Sequence, residues 1–252
     1  VAILMGAAEV LAGLREELPG TVKFLFQPAE EGPPRGEDGG ASLMIREGVL
    51  RDPDVDAVFG LHISQRDAVG EASYRARGMM ASAQTFRVTV TGRQTHGAAP
   101  WAGIDPVVTA AQMITSLQTV VSRSLDITNG PAVVTVGTIH GGTRYNIVPD
   151  DVSFSGTIRT FDPGMKRQVA ERMEAIVGNV AAAMGASAEL EIETGVPVTF
   201  NDPDLTEDMV PSLRRVYGER NVLVSPLITG AEDFSFFMEH VPAFFFFIGG
   251  RP

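Results

Sequence analysis

Apolar residues recur at helical spacing near the start of the chain: Ile3, Leu4, Ala7, Ala8, Leu11, Leu14 and Leu18 predict an amphipathic helix over 1–18. The apolar run Val22-Lys23-Phe24-Leu25-Phe26 then predicts a buried strand over 22–27, followed by a helix over about 40–47 and a strand over 55–61. Strands alternating with helices predict βαβ units and a largely parallel sheet. Between them, Pro33, Pro34, Gly36, Gly39 and Gly40 predict a flexible loop, with Arg35, Glu37 and Asp38 on a solvated surface.

From about residue 83 the period changes. Phe86, Val88 and Val90 alternate with polar residues, the pattern of a half-buried strand. Asp105-Pro106 predicts a helix start, with Asp105 as N-cap and the helix running to about Arg123. Strands are predicted over 132–139 and 152–160, joined by a turn-rich stretch from Gly141 to Asn146. A second helix begins at Asp162-Pro163 and buries Val169, Met173, Ile176, Val177 and Val180; a strand over 188–193 closes the unit. The order β-α-β-β-α-β is the ferredoxin-like split motif, which covers its sheet on one face and leaves the other to dock on something, often a twin subunit. After residue 195 the earlier alternation resumes, with a helix over 204–217, a short strand near 222–224, a short helix from about Glu232 and a strand over 243–248. The economical organisation is therefore one α/β domain, 1–79 and 191–252, interrupted by an inserted domain, 80–190.

Composition narrows the function classes. A length of 252 residues with 44% hydrophobic content supports one large domain or two ordinary ones. A formal net charge of −11 argues against nucleic acid or an anionic membrane as partner, and a cytoplasmic enzyme is the default expectation. The chain has no cysteine, so neither a disulfide nor a thiolate metal site can form within it. No stretch reaches the roughly 20 apolar residues of a membrane-spanning helix.

The candidate chemistry begins with two adjacent carboxylates, Glu30 and Glu31, in the loop Phe26-Gln27-Pro28-Ala29-Glu30-Glu31-Gly32 directly after a predicted strand. His62 follows the next predicted strand in the same way. Open α/β sheets place ligand chemistry at the carboxyl ends of their strands. Successive side chains point apart, so one carboxylate can bind a cation while its neighbour acts as base toward water that the cation activates. Alone, the acid pair is usually a surface feature, and His62 is more often a satisfied buried histidine than a ligand. His96, among small residues in Thr95-His96-Gly97-Ala98-Ala99-Pro100, is either an exposed turn histidine or an imidazole aimed at an oxyanion. Asn146 and Arg159 flank the third strand of the inserted unit; they are either a turn residue and a surface charge, or a clamp for a substrate carboxylate. Glu232 and Asp233 sit at a helix start, where acids are favoured regardless of function. His140 and His240 have no supporting context and read as structural or surface residues.

Taken in order, Gln27-Pro28-Ala29-Glu30-Glu31-Gly32, Gly60-Leu61-His62, His96-Gly97-Ala98-Ala99-Pro100, Ile104-Asp105-Pro106, Asn146-Ile147-Val148-Pro149-Asp150, Gly156-Thr157-Ile158-Arg159-Thr160 and Gly230-Ala231-Glu232-Asp233-Phe234 form a recognisable set. On these motifs the chain closely resembles the amidohydrolase branch of the M20 metallopeptidases, which includes hippurate hydrolases, N-acyl-amino-acid deacylases and auxin-conjugate hydrolases. The resemblance implies a metallohydrolase domain with two divalent ions per full-length active site (zinc, manganese, cobalt or nickel) and an inserted lid that dimerises. It implies Glu30 as general base, Glu31 and His62 as metal ligands, and His96 as a lid histidine reaching the partner's site. Asn146 and Arg159 would hold the carboxylate of an N-acyl amino acid or small peptide-like substrate. The family's upstream Cys-Gly-His-Asp-x-His motif and its downstream Leu-His-Ser-Pro-like motif, which carry the remaining ligands, would lie just outside Val1 and Pro252; the expectation is an internal piece of a longer polypeptide. Two other outcomes stand beside the amidohydrolase: an inert dimerisation module, and an aminopeptidase- or dipeptidase-like relative.

Overall fold

Three helices begin on the same two-residue device. Asp105, Asp162 and Asp202 each precede a proline, which occupies the first helical position without leaving an N–H unpaired. Their carboxylates accept from backbone N–H groups of the first turn: Val107 at 2.8 Å, Met165 at 2.9 Å and Leu205 at 2.8 Å. The computed structural model describes residues 1–252 except Pro33, Arg35, Gly36 and Asp38; the loop and surface expectations for those four lie outside the described residues. The chain divides into two compact units, Val1–Asp56 and Ala57–Pro252.

The first unit holds α1 (Ala2–Gly13), a 3-10 turn at Arg15–Glu17 and α2 (Gly40–Arg46). Along α1, Leu4, Ala7, Ala8 and Leu11 are half-buried, whereas Ile3 (55%) and Leu14 (41%) are exposed, so the expected stripe is narrower than its periodicity. The strand expected over 22–27 does not form. A strand needs a partner for its backbone groups, and these residues join no ladder among the described residues; Val22 and Phe26 are each 49% exposed. What holds the segment is Lys23, whose Nζ donates to the carbonyls of Val49 (3.1 Å), Arg51 (2.7 Å) and Pro53 (3.1 Å).

The second unit contains, in chain order, β1 (Val58–Ala68), β2 (Ala72–Tyr74), β3 (Arg77–Met80), β4 (Gln84–Thr91), β5 (Thr95–His96), α3 (Pro106–Thr119), β6 (Ala132–Gly141), β7 (Ile147–Val148), β8 (Asp151–Thr160), α4 (Pro163–Ala183), β9 (Ser187–Ile192), β10 (Thr199–Asn201), α5 (Pro203–Tyr217), β11 (Val222–Val224), α6 (Ser235–Met238) and β12 (Ala243–Arg251). One sheet has the order β1-β12-β2-β11. Its β1–β12 and β2–β11 pairs are parallel, but β12–β2 is antiparallel, because the tight connection after β1 sends β2 back beside β12. The sheet is therefore mixed. Asn201, fully buried on β10, ties it together. Its Nδ2 donates to the carbonyls of Arg75 (2.9 Å) and Phe245 (2.8 Å), and its Oδ1 accepts from the Phe245 N–H at 2.6 Å.

The other large sheet, order β6-β8-β4-β9, is antiparallel throughout. Phe86, Val88, Val90, Val152, Phe154 and Ile158 pack on one face against Met113, Leu117, Val169, Met173 and Val177 of α3 and α4. The opposite face carries polar rows: His140, Ser153, Thr89 and Glu189 lie in register, as do Thr138, Ser155, Arg87 and Glu191. This is the hydrophobic-in, polar-out alternation of an antiparallel sheet solvated on one side. Its two edges differ. Outer strand β9 is short and carries Glu189 and Glu191, whereas outer strand β6 has ten residues with neither a charged residue nor a proline. Where the chain enters and leaves this sheet, Ala83 and Val196 form a two-way clasp, exchanging N–H···O bonds of 2.9 and 2.8 Å.

Candidate active site

Glu30 and Glu31 occupy the central positions of a turn closed by the Gly32 N–H on the Ala29 carbonyl at 3.1 Å. Ala29 enters it at φ 52°, the left-handed region that side-chain-bearing residues avoid, and Gly32 leaves it at φ 106°. A second clasp, from the Gly40 N–H to the Pro28 carbonyl at 3.1 Å, ties the loop to the start of α2. Both carboxylates are exposed and accept no hydrogen bond from the described residues.

His62 sits in the middle of β1, not at its end as the sequence suggested. The ladder with β12 continues in register from Val58–Ala243 through Ser64–Gly249, so the strand carries on past the histidine. Its ring packs edge-on against Phe247, with centroids 6.2 Å apart. Nδ1 lies 2.7 Å from the Ile63 carbonyl. A carbonyl can only accept, so Nδ1 carries the proton, and in the neutral ring Nε2 keeps its lone pair. That is the tautomer of a metal-binding imidazole whose other nitrogen is held by the backbone. Taken each by itself, the exposed carboxylates are donors that suit a hard divalent cation and the oriented imidazole is one that suits a borderline divalent cation.

His96 shows the opposite arrangement. It lies on β5, which pairs with β7 so that His96 faces Ile147. Its Nδ1 accepts the Ala98 N–H at 3.0 Å. An amide can only donate, so in the neutral ring the proton resides on Nε2, making that atom a hydrogen-bond donor. The pairing also brings His96 to Asn146, since the Gly97 N–H donates to the Asn146 carbonyl at 2.8 Å. A Cβ on Gly97 would come within 3.1 Å of the Asn146 backbone, so glycine permits this close approach.

Arg159 is not brought to this pair. It lies near the far end of β8, opposite Val133, while the Asn146 segment enters the strand at Asp151. At about 3.3 Å per residue the intervening strand spans roughly 25 Å. Within one chain, Asn146 and Arg159 cannot grip the same carboxylate. Glu232 is buried, and its Oε1 accepts the Phe234 N–H at 3.2 Å in the turn that precedes α6. His140, in the polar rows of the open face, and His240 are both exposed. Sequence inspection passed over Lys23 and Asn201. The signal for Lys23 was available: a lone cation within an apolar run needs partners.

The profile of peptidase family M20/M25/M40 matches residues 1–252. The chain belongs to that family. M20 relatives include N-acetyl-L-cysteine deacetylase of Bacillus subtilis, 36% identical over 98% of this chain and 57% of that protein. IAA-amino acid hydrolase ILR1-like 2 of Arabidopsis thaliana is 36% identical over 99% of this chain and 55% of that protein. A Bacillus subtilis crystal structure, described as a dinuclear metal binding peptidase from the M20 family, superposes with a TM-score of 0.79 at 31% identity, covering 98% of this chain and 60% of that one. The M20 chain described here accordingly spans somewhat over half the length of these relatives. Its mixed α/β architecture is that of its M20 neighbours. No helix among the described residues is long and apolar enough to cross a membrane.

Proposed function

We propose that this chain forms the core of a metal-dependent amidohydrolase that cleaves the amide of N-acyl amino acids or similar small substrates. The observation that carries this reading is the opposed backbone partners of the two rings: Nδ1 of His62 meets a carbonyl and Nδ1 of His96 an amide N–H, so that as neutral rings one offers a lone pair to a cation and the other an N–H to an anion. Relatives named for the deacylation of N-acetyl-L-cysteine and for IAA-amino acid hydrolysis support the substrate class. A relative named as a thermostable carboxypeptidase, 35% identical, keeps peptide-like substrates within it.

On this reading Glu31 and His62 hold divalent ions, which when bound would acidify water and polarise the scissile carbonyl. Glu30 takes the proton from the attacking water and returns it to the leaving amine. The Nε2–H of His96 donates to the oxyanion that develops on the carbonyl oxygen. Asn146 and Arg159 hold the substrate carboxylate, Arg159 through a bidentate pair. Residues 80–190 act as a ferredoxin-like lid on the catalytic domain formed by 1–79 and 191–252.

The length of β8 between Asp151 and Arg159, roughly 25 Å at about 3.3 Å per residue, separates the two clamp positions and supports a homodimer. His96 and Asn146 of the partner subunit would then meet Arg159 of this one. Edge strand β6, long and without charges, is the natural surface for a second copy, since its open backbone groups can extend the sheet. Ile139 on that edge is 51% exposed. Ile139→Asp should convert the dimer to monomers without loss of secondary structure, as read by light scattering and far-ultraviolet circular dichroism; an unchanged dimer would remove β6 from the interface. Arg159→Ala should raise KM for an N-acyl amino acid by about 10- to 100-fold, the scale of a lost hydrogen bond to a charged group. A substrate without the carboxylate should be indifferent to that change.

The reading as a whole is tested by adding excess manganese or zinc to the purified chain and measuring bound metal together with hydrolysis of an N-acyl amino acid. Metal uptake with turnover supports it. Folded dimers with neither would favour the dimerisation module.

A further inference from the structure

The acidic turn is an unfavourable piece of backbone. It begins on Ala29 at φ 52°, exposes two adjacent carboxylates, and follows a segment, 21–27, that joins no ladder among the described residues. Something other than sheet pairing must fix it. Lys23 is the one cation in the run leading to the turn, and its ammonium meets three carbonyls: Val49 at 3.1 Å, Arg51 at 2.7 Å and Pro53 at 3.1 Å. Those carbonyls belong to the run of turns after α2, outside any helix or ladder, where backbone oxygens need a donor from elsewhere. A lysine ammonium has three donors and no acceptor, so this cradle matches its full valence. A guanidinium presents its donors in a flat fork and cannot converge on three oxygens in this way.

We propose that Lys23 is a positioning residue for the Glu30–Glu31 turn. Its ammonium pins the approach segment to the 49–53 carbonyls, and the Gly40–Pro28 clasp pins the other side, so that the turn hangs between two fixed points. The role of the turn itself rests on the reading given under Proposed function; the pinning does not.

The chain has no cysteine, which permits a direct test. Lys23→Met keeps the aliphatic stem and removes the ammonium. Lys23→Cys alkylated with 2-bromoethylamine, the thiolate displacing bromide, restores an ammonium at nearly the original reach. In hydrogen–deuterium exchange, Lys23→Met should speed exchange of the amides from Phe24 to Gly32 by more than about tenfold, with β4 and β8 unaffected, and the alkylated variant should return to the wild-type rate. Mn²⁺ affinity, followed by the paramagnetic resonance of free Mn²⁺, should fall about tenfold in Lys23→Met and recover on alkylation. Unchanged exchange over 24–32, or faster exchange that alkylation does not reverse, overturns the proposal, as does a loosened turn with full Mn²⁺ affinity. If the wild-type chain itself takes up no Mn²⁺, the functional reading of the turn fails; the exchange comparison still decides whether Lys23 pins it.

Discussion

Replacing Glu30 by Gln should lower kcat for an N-acyl amino acid by about 10³-fold, within the 10²–10⁴ range that a positioned acid–base group supplies. The substitution keeps the size and hydrogen-bonding reach of the side chain but removes its capacity to take a proton. Because Glu31 and His62 are the proposed ligands, metal content should not change, and KM should move little. Glu31→Gln should do the reverse, losing bound metal first and activity with it. The comparison separates the neighbours cleanly: Ala29 and Gly32 close the turn through the backbone, and neither carboxylate takes part in that bond. Metal analysis beside steady-state kinetics is sufficient. A Glu30→Gln protein with wild-type kcat would remove Glu30 as the base.

The largest effect on stability is expected at Asn201. Its amide serves the Phe245 N–H, the Phe245 carbonyl and the Arg75 carbonyl at once, with no exposure to water. Asn201→Leu would fill the volume and leave those three backbone groups buried without partners. At about 1–3 kcal/mol for each orphaned group, partly offset by apolar packing, a loss of about 3–5 kcal/mol follows. For a chain of this size that corresponds to roughly 10 °C in Tm. Asn201→Asp should be intermediate, since it can still accept from Phe245 but no longer donates to either carbonyl. Calorimetry or denaturant melts would report this directly. A shift of only a degree or two with Asn201→Leu would mean that water replaces the amide.

The sequence announces elements whose signals are local. The Asp-Pro pairs at 105–106 and 162–163 mark two helix starts to the residue, and the alternation at Phe86, Val88 and Val90 identifies both β4 and its buried face. It misleads where structure depends on distant pairing. Val22 to Phe26 have strand-like composition but no ladder, and His62 falls mid-strand because β12 supplies partners beyond it. The β3–β10 pair and its Asn201 clip were invisible, being three- and four-residue segments whose partners lie about 120 residues away. For the site, residue identities were legible in ordered motifs. The two histidine tautomers were not, since they depend on which backbone group each ring nitrogen meets. The Asn146–Arg159 separation was implicit in the length of β8 once the strand was recognised.

In the proposed dimer, the contrast between the two outer strands of the antiparallel sheet would limit how far copies can add. Were both edges open, each molecule could take a neighbour on either side, and the sheet could grow without end as a fibre. Glu189 and Glu191 would make β9 repel its own copy and any other acidic edge, which would leave β6 as the edge that accepts. A single self-complementary edge closes on a two-fold axis after one addition. The acids on β9 would then act as a terminator, making the proposed assembly finite and guarding a Ser- and Thr-rich sheet against polymerisation.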